Sequence, residues 1–270
     1  MQQIGVKFYD EFLVGIPRGE VEGIAETVRK HARKAAGVEE GEETKERDVV
    51  CVVVGGYRRG KEESGDVDVI LSHREEKVTK NLVVDVVRSL EEEGWITHTL
   101  TLQTTTSDRD QQTLPFNTKG HQPFHGGGFD SLDKALCVWQ DPTYSSHDAN
   151  GEENKKNPNI HRRVDIILSP WRTVGCAILG WSGGTTFQRD IRRFASHERG
   201  WKFDSSGVRE RGGGVVVDLE NPKERYFVDK EGVKKERQEW EWKDDWKDRE
   251  RRVMEGLGIG WRDAPDRCTG

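Results

Sequence analysis

The sequence lacks long apolar runs, and no hydrophobic stretch approaches the ~20 residues that a membrane-spanning helix requires. Its first residues, MQQIGVKFYDEF, also lack the apolar stretch of a signal peptide. We therefore expect neither a membrane anchor nor a membrane partner. Only 33% of the residues are hydrophobic whereas 34% are charged, which predicts an economical core and several solvated segments. The 270 residues suffice for one large domain or two small ones.

Cysteine is scarce as well, and its spacing excludes two further classes of protein. The cysteines are widely separated, without any Cys-x-x-Cys pair: Cys51, Cys137, Cys176 and Cys268. This spacing supports neither a zinc ribbon nor a disulfide framework, so buried or incidental thiols are expected. The net charge of −6 gives no sign of nucleic-acid binding. Total charge is a weak guide, however, because a local basic face is what meets phosphate.

Hydrophobic periodicity and turn residues predict a chain of alternating helices and strands. Helical spacing is found at residues 17–37, 77–94, 169–181 and 185–200. Strand-like runs are found at residues 49–54, 66–72, 95–103 and 161–169. Ser169 and Pro170 are expected to open the third helix as cap and first residue. The remaining segments are predicted as polar loops at 103–128 and 141–159, a hairpin at 201–220, and a solvated helix or insertion without a function at 230–252.

Two aspartates lie close together in the stretch GGYRRGKEESGDVDVILS, which joins two of the predicted strands. Residues i and i+2 of a strand point to the same face, so Asp66 and Asp68 are expected to project together. Two adjacent carboxylates repel each other unless a cation or proton compensates, and Mg²⁺ is a natural partner because it prefers oxygen ligands. Asp165, on the strand RRVDIIL, could complete a three-carboxylate site. Such a site suits two metal ions and attack on phosphorus, although an Asp-x-Asp pair also occurs on solvated strand edges.

The glycines and arginines of the same stretch suggest a phosphate-binding turn. Gly55 and Gly56 would let backbone N–H groups approach phosphate oxygens closely. Arg59 could then neutralise the charge that develops on a leaving pyrophosphate. A dinucleotide-binding turn is disfavoured, because GGYRRG lacks the Gly-x-Gly-x-x-Gly order and no helix is predicted after it. Strand, turn and three aspartates together favour nucleotidyl transfer.

Three segments resemble the family X DNA polymerases: VKFYDEFLVGIPRGEVEGIA, GGYRRGKEESGDVDVILSH and HRRVDIILSPWRTVGCAILGWSGGTTFQRDIRRFA. The resemblance extends over nearly the whole chain, and GWSGGTTFQRDIRR is most similar to the polymerase mu and terminal deoxynucleotidyltransferase branch, as found in fungi. It implies an α+β fold: a nucleotidyltransferase-type palm, with a mixed or antiparallel sheet and flanking helices, followed by a small α/β thumb. We expect the palm at residues 1–179 and the thumb at 180–270. The family's N-terminal lyase and helix-hairpin-helix fingers domains have no counterpart in the sequence.

The resemblance also implies a role for individual residues. Asp66, Asp68 and Asp165 would be catalytic and would bind two Mg²⁺ ions, with Mn²⁺ as the alternative, and Asp165 would assist deprotonation of the primer 3′-hydroxyl. Gly56, Arg59 and Gly65 would hold the triphosphate, and Gly180, Trp181 and Gly183 would lie where the sugar of the incoming nucleotide is read. Arg163 would lie beside the primer terminus, and Gln188 and Arg192 near the nascent base pair and template. The periodicity of the fourth helix adds a basic face of Arg189, Arg192 and Arg193, which either contacts DNA or is simply solvated.

Two features distinguish this sequence from the repair-polymerase pattern. Many relatives have a Tyr-Phe pair at the sugar-reading position, where this chain has Gly180-Trp181, so weak discrimination between ribo- and deoxynucleoside triphosphates is expected. The loop at 141–159 corresponds to a flexible loop that could replace missing template at DNA ends. The resemblance therefore implies a nuclear enzyme of gap repair or end joining that acts on DNA primer/template or DNA ends. Its repair-protein partners are not indicated. The alternatives are an impaired palm-and-thumb remnant that binds DNA or repair partners, and a nucleotidyltransferase acting on RNA or a small molecule.

Overall fold

The computed structural model describes residues 2–38, 48–109, 132–144 and 156–268. The helices in these ranges are α1 (Gln2–Lys7), α2 (Tyr9–Phe12), α3 (Arg18–Ala35), α4 (Gly55–Arg58), α5 (Glu76–Thr79), α6 (Leu82–Glu92), α7 (Val174–Ser182), α8 (Thr185–Glu198), α9 (Glu239–Trp242) and α10 (Trp246–Leu257). The strands are β1 (Ile16–Pro17), β2 (Val50–Val53), β3 (Glu63–Ser64), β4 (Val67–Ser72), β5 (Ile96–Gln103), β6 (Asp133–Trp139), β7 (Arg162–Leu168), β8 (Trp201–Asp204), β9 (Gly207–Glu210), β10 (Val216–Val217), β11 (Tyr226–Val228) and β12 (Lys234–Glu236). Much of the predicted loops at 103–128 and 141–159 lies outside the described residues. Within those ranges no helix has the length and apolar character needed to cross a bilayer.

The centre of the molecule is a five-stranded mixed sheet of order β2-β4-β7-β6-β5. Its central strands β4 and β7 run parallel, and the other neighbouring pairs are antiparallel. The β-branched run of β2 and the Val and Ile residues of β4 and β7 suit strands that are covered on both faces. The predicted α+β fold, with a mixed sheet and flanking helices, is confirmed.

Helices cover both faces of this sheet. On one face, α3 and α6 pack against the sheet through residues at helical spacing, such as Val21, Ile24 and Val28 of α3, which are buried. On the opposite face, α7 packs through Val174 and Ile178. Each fully buried aliphatic side chain contributes roughly 1.5–3 kcal/mol of transfer free energy. With only 33% hydrophobic residues in the chain, the core is formed by short apolar segments of α3, α6, α7 and the sheet strands.

Helix α7 is buried on all sides because it belongs to two cores. One side of α7 faces the sheet, while Cys176 and Leu179 pack with residues of α8, β8 and α10 in a separate cluster. Gly175 permits this arrangement, because a Cβ at this position would lie 2.6 Å from the carbonyl carbon of Arg249. α7 therefore joins the sheet to the C-terminal part of the chain. The boundary proposed at residues 179 and 180 stays a prediction.

The C-terminal part consists of α8, the β8–β10 sheet, the β11–β12 hairpin and α10. The predicted hairpin at 201–220 is present as β8 and β9. The prediction of a solvated segment at 230–252 was wrong for α10, because Arg249, Glu250 and Val253 of this helix are buried. The charged composition of α10 gave no sign of this burial, since the carboxylate of Glu250 is paired with Arg58 and Arg267, which lie outside the helix.

Two helix starts also differ from the sequence predictions. Ser169 does not cap the third predicted helix: Trp171–Thr173 form a 3₁₀ turn, and α7 begins at Val174. The helix predicted at 77–94 is divided into α5 and α6 by Asn81, whose φ of 61° is left-handed. The backbone N–H of Asn81 donates to Ser107 Oγ at 2.8 Å. A tertiary contact is therefore present at the point where the helical pattern is interrupted.

Candidate active site

Two of the predicted catalytic aspartates are direct neighbours on the parallel strands at the centre of the sheet. In the pairing of β4 with β7, Asp68 lies opposite Asp165, so both side chains point to the same face. Burial, together with the charges of Asp66 and Asp165, raises the pKa of Asp68 to about 8. Burial and the charge of Asp66 likewise raise the pKa of Asp165 to about 6. The three carboxylates thus form one electrostatically coupled group.

Asp66, which immediately precedes β4, is engaged by a cation from the neighbouring strand. Its Oδ2 accepts a hydrogen bond from Arg163 Nη2, and the two side chains form an ion pair at the surface. Among the described residues no three His, Cys, Asp or Glu side chains are gathered closely enough to hold a metal ion as they stand. Arg163 therefore lies at the site, but its observed partner is a carboxylate. The role of Arg163 beside a primer terminus stays a prediction.

The carboxylates nevertheless fit a hard divalent cation. The donor set consists of oxygen atoms only, which Mg²⁺ and Mn²⁺ prefer. The pKa of Asp68 and Asp165 is raised despite the nearby guanidinium of Arg163, so burial and mutual repulsion outweigh the attraction that is present. Added positive charge between the carboxylates would relieve this repulsion. For Asp66 to join them in a shared site, its carboxylate has to leave Arg163.

The glycine turn lies directly against these carboxylates. Gly55 has a left-handed φ of 60°, and the space that a Cβ would occupy there is filled by the carboxylate of Asp68. This position therefore requires glycine for both conformation and space. Gly55–Arg58 form the short helix α4 within the turn itself, and after GGYRRG the chain continues into β3 and β4, so the expectation that no helix follows this stretch is confirmed. Around Gly65 a Cβ would meet no atom within 4 Å, so this glycine borders open space.

The two arginines of the turn point toward the second half of the protein. Arg59 Nη1 donates to the carbonyl of Ser182 at 3.2 Å, and Arg59 Nη2 lies near Gly56. Arg58 is turned inward, where it donates to Ser182 Oγ and forms a two-pronged ion pair with Glu250. The turn is thereby tied to the C-terminal end of α7 and to α10. Arg59 lies beside the predicted triphosphate position, whereas Arg58 serves the internal interface.

The predicted sugar-reading residues lie at the end of α7. Gly180 contacts the β8–β9 turn so closely that a Cβ would come within 2.9 Å of Ser205 Cβ. The Trp181 ring packs against the cluster on the carboxylate face of the sheet, and Lys134 Nζ lies 6.0 Å from its centroid. A Cβ at Gly183 would lie 2.5 Å from Phe187 Cδ1. Gly180 and Gly183 are therefore required by packing as well as by any role in nucleotide binding.

Helix α8 presents only part of its predicted nucleotide-binding and DNA-binding residues to solvent. Gln188 is buried, and its amide donates to the carbonyl of Leu179 at 2.5 Å, so its side chain is used inside the protein. Arg192 is partly buried and donates to the carbonyl of Gln188. Arg189 and Arg193 are exposed one turn apart and share one face of the helix. The contacts of these residues with DNA or the nascent base pair stay predictions.

The sequence patterns did not indicate two residues that the structure brings to the site, Lys134 and Glu250. Lys134 lies on β6, two residues from Leu136, which pairs with Asp165, so it shares the carboxylate face. Its charge lowers the pKa of Asp165, against the larger effect of burial. Glu250 reaches the glycine turn from α10. The alternation of β6 could have indicated Lys134, whereas no local pattern indicates Glu250.

A mixed sheet that carries carboxylates on its parallel strands beside a glycine turn is typical of a nucleotidyltransferase palm. The smaller C-terminal part that follows α7 is then the thumb. Two family models match the chain accordingly: the DNA polymerase beta palm over residues 15–171 and the DNA polymerase beta thumb over residues 177–268. The chain therefore belongs to the family X DNA polymerases, and the resemblance seen in the sequence is confirmed.

Similar proteins carry polymerase and transferase names. The DNA nucleotidylexotransferase of Xenopus laevis is 24% identical over 78% of this chain and 38% of its own length. The DNA polymerase type-X family protein pol4 of Schizosaccharomyces pombe is 28% identical, over 75% of this chain and 31% of its own. The human DNA-directed DNA/RNA polymerase mu is 23% identical, over 77% of this chain and 38% of its own. The chain thus spans less than two fifths of the length of these relatives.

Proposed function

We propose that this chain adds nucleotides to the 3′-hydroxyl of a DNA primer or DNA end, with release of pyrophosphate. The observation that carries the proposal is the pairing of Asp68 with Asp165 on parallel strands, with Asp66 and the turn of Gly55 and Arg59 beside them. Carboxylates clustered against a glycine turn suit the transfer of a phosphoryl group, because that reaction needs charge neutralisation and close backbone approach.

The carboxylates supply the positions for cations and for a proton. Asp66, Asp68 and Asp165 would hold two Mg²⁺ ions, or Mn²⁺ ions, whose chemistry is to favour ionisation of a hydroxyl and to neutralise phosphate charge. Asp165 would also assist deprotonation of the primer 3′-hydroxyl, a role for which a carboxylate within hydrogen-bond reach of that hydroxyl is suited. Asp68 lies directly opposite Asp165, so both carboxylates could bind the same metal ions.

The turn and the end of α7 would hold the incoming nucleotide. Gly56, Arg59 and Gly65 would hold the triphosphate. Arg59, whose charge acts on the carboxylate of Asp68, is suited to neutralise the departing pyrophosphate. Gly180 and Trp181 would contact the sugar, Trp181 from the carboxylate face of the sheet. In relatives with a ring at position 180 that side chain could exclude a 2′-hydroxyl, and here the position has no side chain.

The DNA would lie along exposed basic residues. Arg189 and Arg193 offer two cations on one face of α8, and each neutralised phosphate makes binding more dependent on salt. We propose gap repair or end joining in the nucleus as the setting of this activity, as the resemblance of the sequence to the polymerase mu and terminal deoxynucleotidyltransferase branch implies. The loop at 141–159 would support synthesis across discontinuous ends. Shortening it should reduce activity on such ends more than on gapped duplex, and equal losses would count against this role.

The test is primer extension on gapped duplex and on DNA ends, with Mg²⁺ or Mn²⁺ and either type of nucleoside triphosphate. We expect extension by the wild type and none by Asp165→Ala, while both proteins bind the DNA with similar affinity. DNA binding without extension by the wild type would instead indicate an impaired palm-and-thumb protein. Transfer to RNA or to a small molecule alone would overturn the choice of DNA as substrate.

A further inference from the structure

The segment that precedes α3 lies against the outside of the glycine turn. Ile16 and Pro17 of β1 pair with Ser64 and Glu63 of β3, at the end of the turn. Gly15 fits closely against Glu63, since a Cβ at Gly15 would lie 3.0 Å from Glu63 Cβ. The chain from Gly15 to Arg18 is thus held against the turn by strand pairing as well as by packing.

Arg18 extends this contact along the turn. Its Nη1 donates to the carbonyls of Tyr57 and Lys61, at 2.9 Å and 3.1 Å. Its guanidinium lies 3.9 Å from the centroid of the Tyr57 ring, a stacked cation–π distance. The Tyr57 hydroxyl in turn donates to Glu22 of α3 at 2.7 Å. One arginine therefore joins both ends of the segment 57–61, and Arg59 lies at the middle of that segment.

This segment depends on such a support for physical reasons. A four-residue helix such as α4 is not stable by itself, because helix nucleation is unfavourable and its terminal carbonyls lack partners within the helix. Gly60, with a left-handed φ of 85°, adds backbone freedom beside Arg59. Arg18 Nη1 donates to one carbonyl of α4, that of Tyr57, and to the carbonyl of Lys61 beyond the end of the helix. A lysine has no planar group that could stack on the Tyr57 ring as the guanidinium of Arg18 does.

The position of Arg18 in its own helix points to the same role. Arg18 is the first residue of α3, where the positive end of the helix dipole disfavours a cation. Its bonds to the turn therefore offset an unfavourable local position. Glu20, also in the first turn, pairs with Arg162 on β7 at 2.6 Å. The acidic residue of this first turn is therefore paired with β7, whereas the hydrogen bonds of Arg18 go to the glycine turn.

We propose that Arg18 is a positioning residue that holds the turn, and with it Arg59, in the geometry that binds the triphosphate of the incoming nucleotide. The inference rests on the proposed function. Arg18 acts through the carbonyls of Tyr57 and Lys61 and touches neither nucleotide nor metal in this role. Its loss should therefore weaken nucleotide binding while DNA affinity and the chemical step change little.

The experiment compares Arg18→Ala and Arg18→Lys with Arg29→Ala, a control on the same helix whose ion pairs lie with Glu26 and Asp48. Steady-state extension gives KM for the nucleotide and kcat, and calorimetry with dATP and Mg²⁺ gives nucleotide affinity without turnover. We expect Arg18→Ala to weaken dATP affinity and raise KM about tenfold, with kcat within about threefold. Arg18→Lys should lie between Arg18→Ala and wild type, and Arg29→Ala should match wild type. DNA affinity should be equal in all four proteins.

Several results would overturn the inference. Equal KM and equal dATP affinity in Arg18→Ala and Arg29→Ala would refute the positioning role. A loss of DNA affinity in Arg18→Ala alongside the loss of dATP affinity would also refute it, because it would indicate disruption of the fold as a whole. If Arg18→Ala fails to fold, Arg18→Lys decides alone, and wild-type dATP affinity in that variant would refute the role. If the wild type binds dATP but adds no nucleotide, the proposed function fails while dATP affinity still tests Arg18. A wild type without dATP affinity would overturn both.

Discussion

The buried carboxylate of Glu250 offers the sharpest test of how the palm and thumb are held together. Its two oxygens accept hydrogen bonds from Arg58 at 2.7 Å and 2.6 Å, and from Arg267 at 2.6 Å. The side chains of Glu250 and Arg267 are fully buried, and that of Arg58 is 15% exposed. One acidic residue of α10 therefore neutralises a cation from the glycine turn together with Arg267 of the 3₁₀ turn at Ala264–Arg267.

We expect Glu250→Ala to destabilise the fold severely. Arg58 keeps its bond to Ser182, and Arg267 keeps its bonds to the carbonyl of Arg262, but neither of these partners is a counter-charge. Breaking a buried ion pair by removing one partner costs about 3–5 kcal/mol. This is a large fraction of the roughly 5–15 kcal/mol that stabilises a typical domain. In a chain of this size it corresponds to a fall in Tm of roughly 10 °C.

The assay is urea unfolding at neutral pH, followed by fluorescence or circular dichroism, with Glu236→Ala as the matched control. Glu236 also pairs with an arginine, Arg225, but both side chains are about half exposed, so its loss should cost less than about 1 kcal/mol. Glu250→Gln keeps the shape and should fall between the two. A loss for Glu250→Ala no larger than for Glu236→Ala would refute the argument that this carboxylate is a buried counter-charge.

Three further predictions follow from the same structure. Burial raises the pKa of Glu220 to about 7, above its unfolded value near 4.5, so the charged form of Glu220 opposes folding. The free energy of unfolding should therefore fall by about 3 kcal/mol as pH rises from about 4.5 to 7. Glu220→Gln should flatten this pH dependence when unfolding is measured at several pH values. Gly175→Ala should lower the free energy of unfolding by about 1–3 kcal/mol, because the added Cβ would lie 2.6–2.8 Å from the backbone of α10. Its control Gly23→Ala, in the middle of α3, adds a Cβ that meets no atom within 4 Å and should stabilise the fold by roughly 0.5–1 kcal/mol. Equal effects of the two substitutions in thermal melts would contradict this. Ribo- and deoxynucleotides should be incorporated at comparable rates, and strong exclusion of ribonucleotides in paired extension assays would refute the role given to Gly180.

Much of the central sheet could be predicted because its signals are local. The apolar runs that became β2, β4 and β7 are short and bounded by turns or polar residues, and the aspartates of the i and i+2 pattern lie where a strand places them. The register could not be predicted, since it depends on which strands become neighbours. Only the parallel pairing of β4 with β7 places Asp68 opposite Asp165.

The errors have a common physical origin. The charged segment that became α10 was predicted as solvated, because sequence patterning counts Glu250 and Arg249 as surface residues. The burial of Glu250 is tolerated because Arg58 is brought to it from a distant part of the chain, whereas Arg249 pairs with the nearby Asp244. In the same way, the support that Arg18 gives to residues 57–61 joins segments about 40 positions apart.

The sequence by itself determined strands β2, β4, β5 and β7, helix α3, the family and the set of acidic residues, because each depends on residue type and short spacing. The tertiary structure alone decided that Asp165 faces Asp68, that Asp66 is paired with Arg163, and that the turn is held between α3 and α10. These features depend on distances between residues far apart in the chain, and only the packed fold sets those distances.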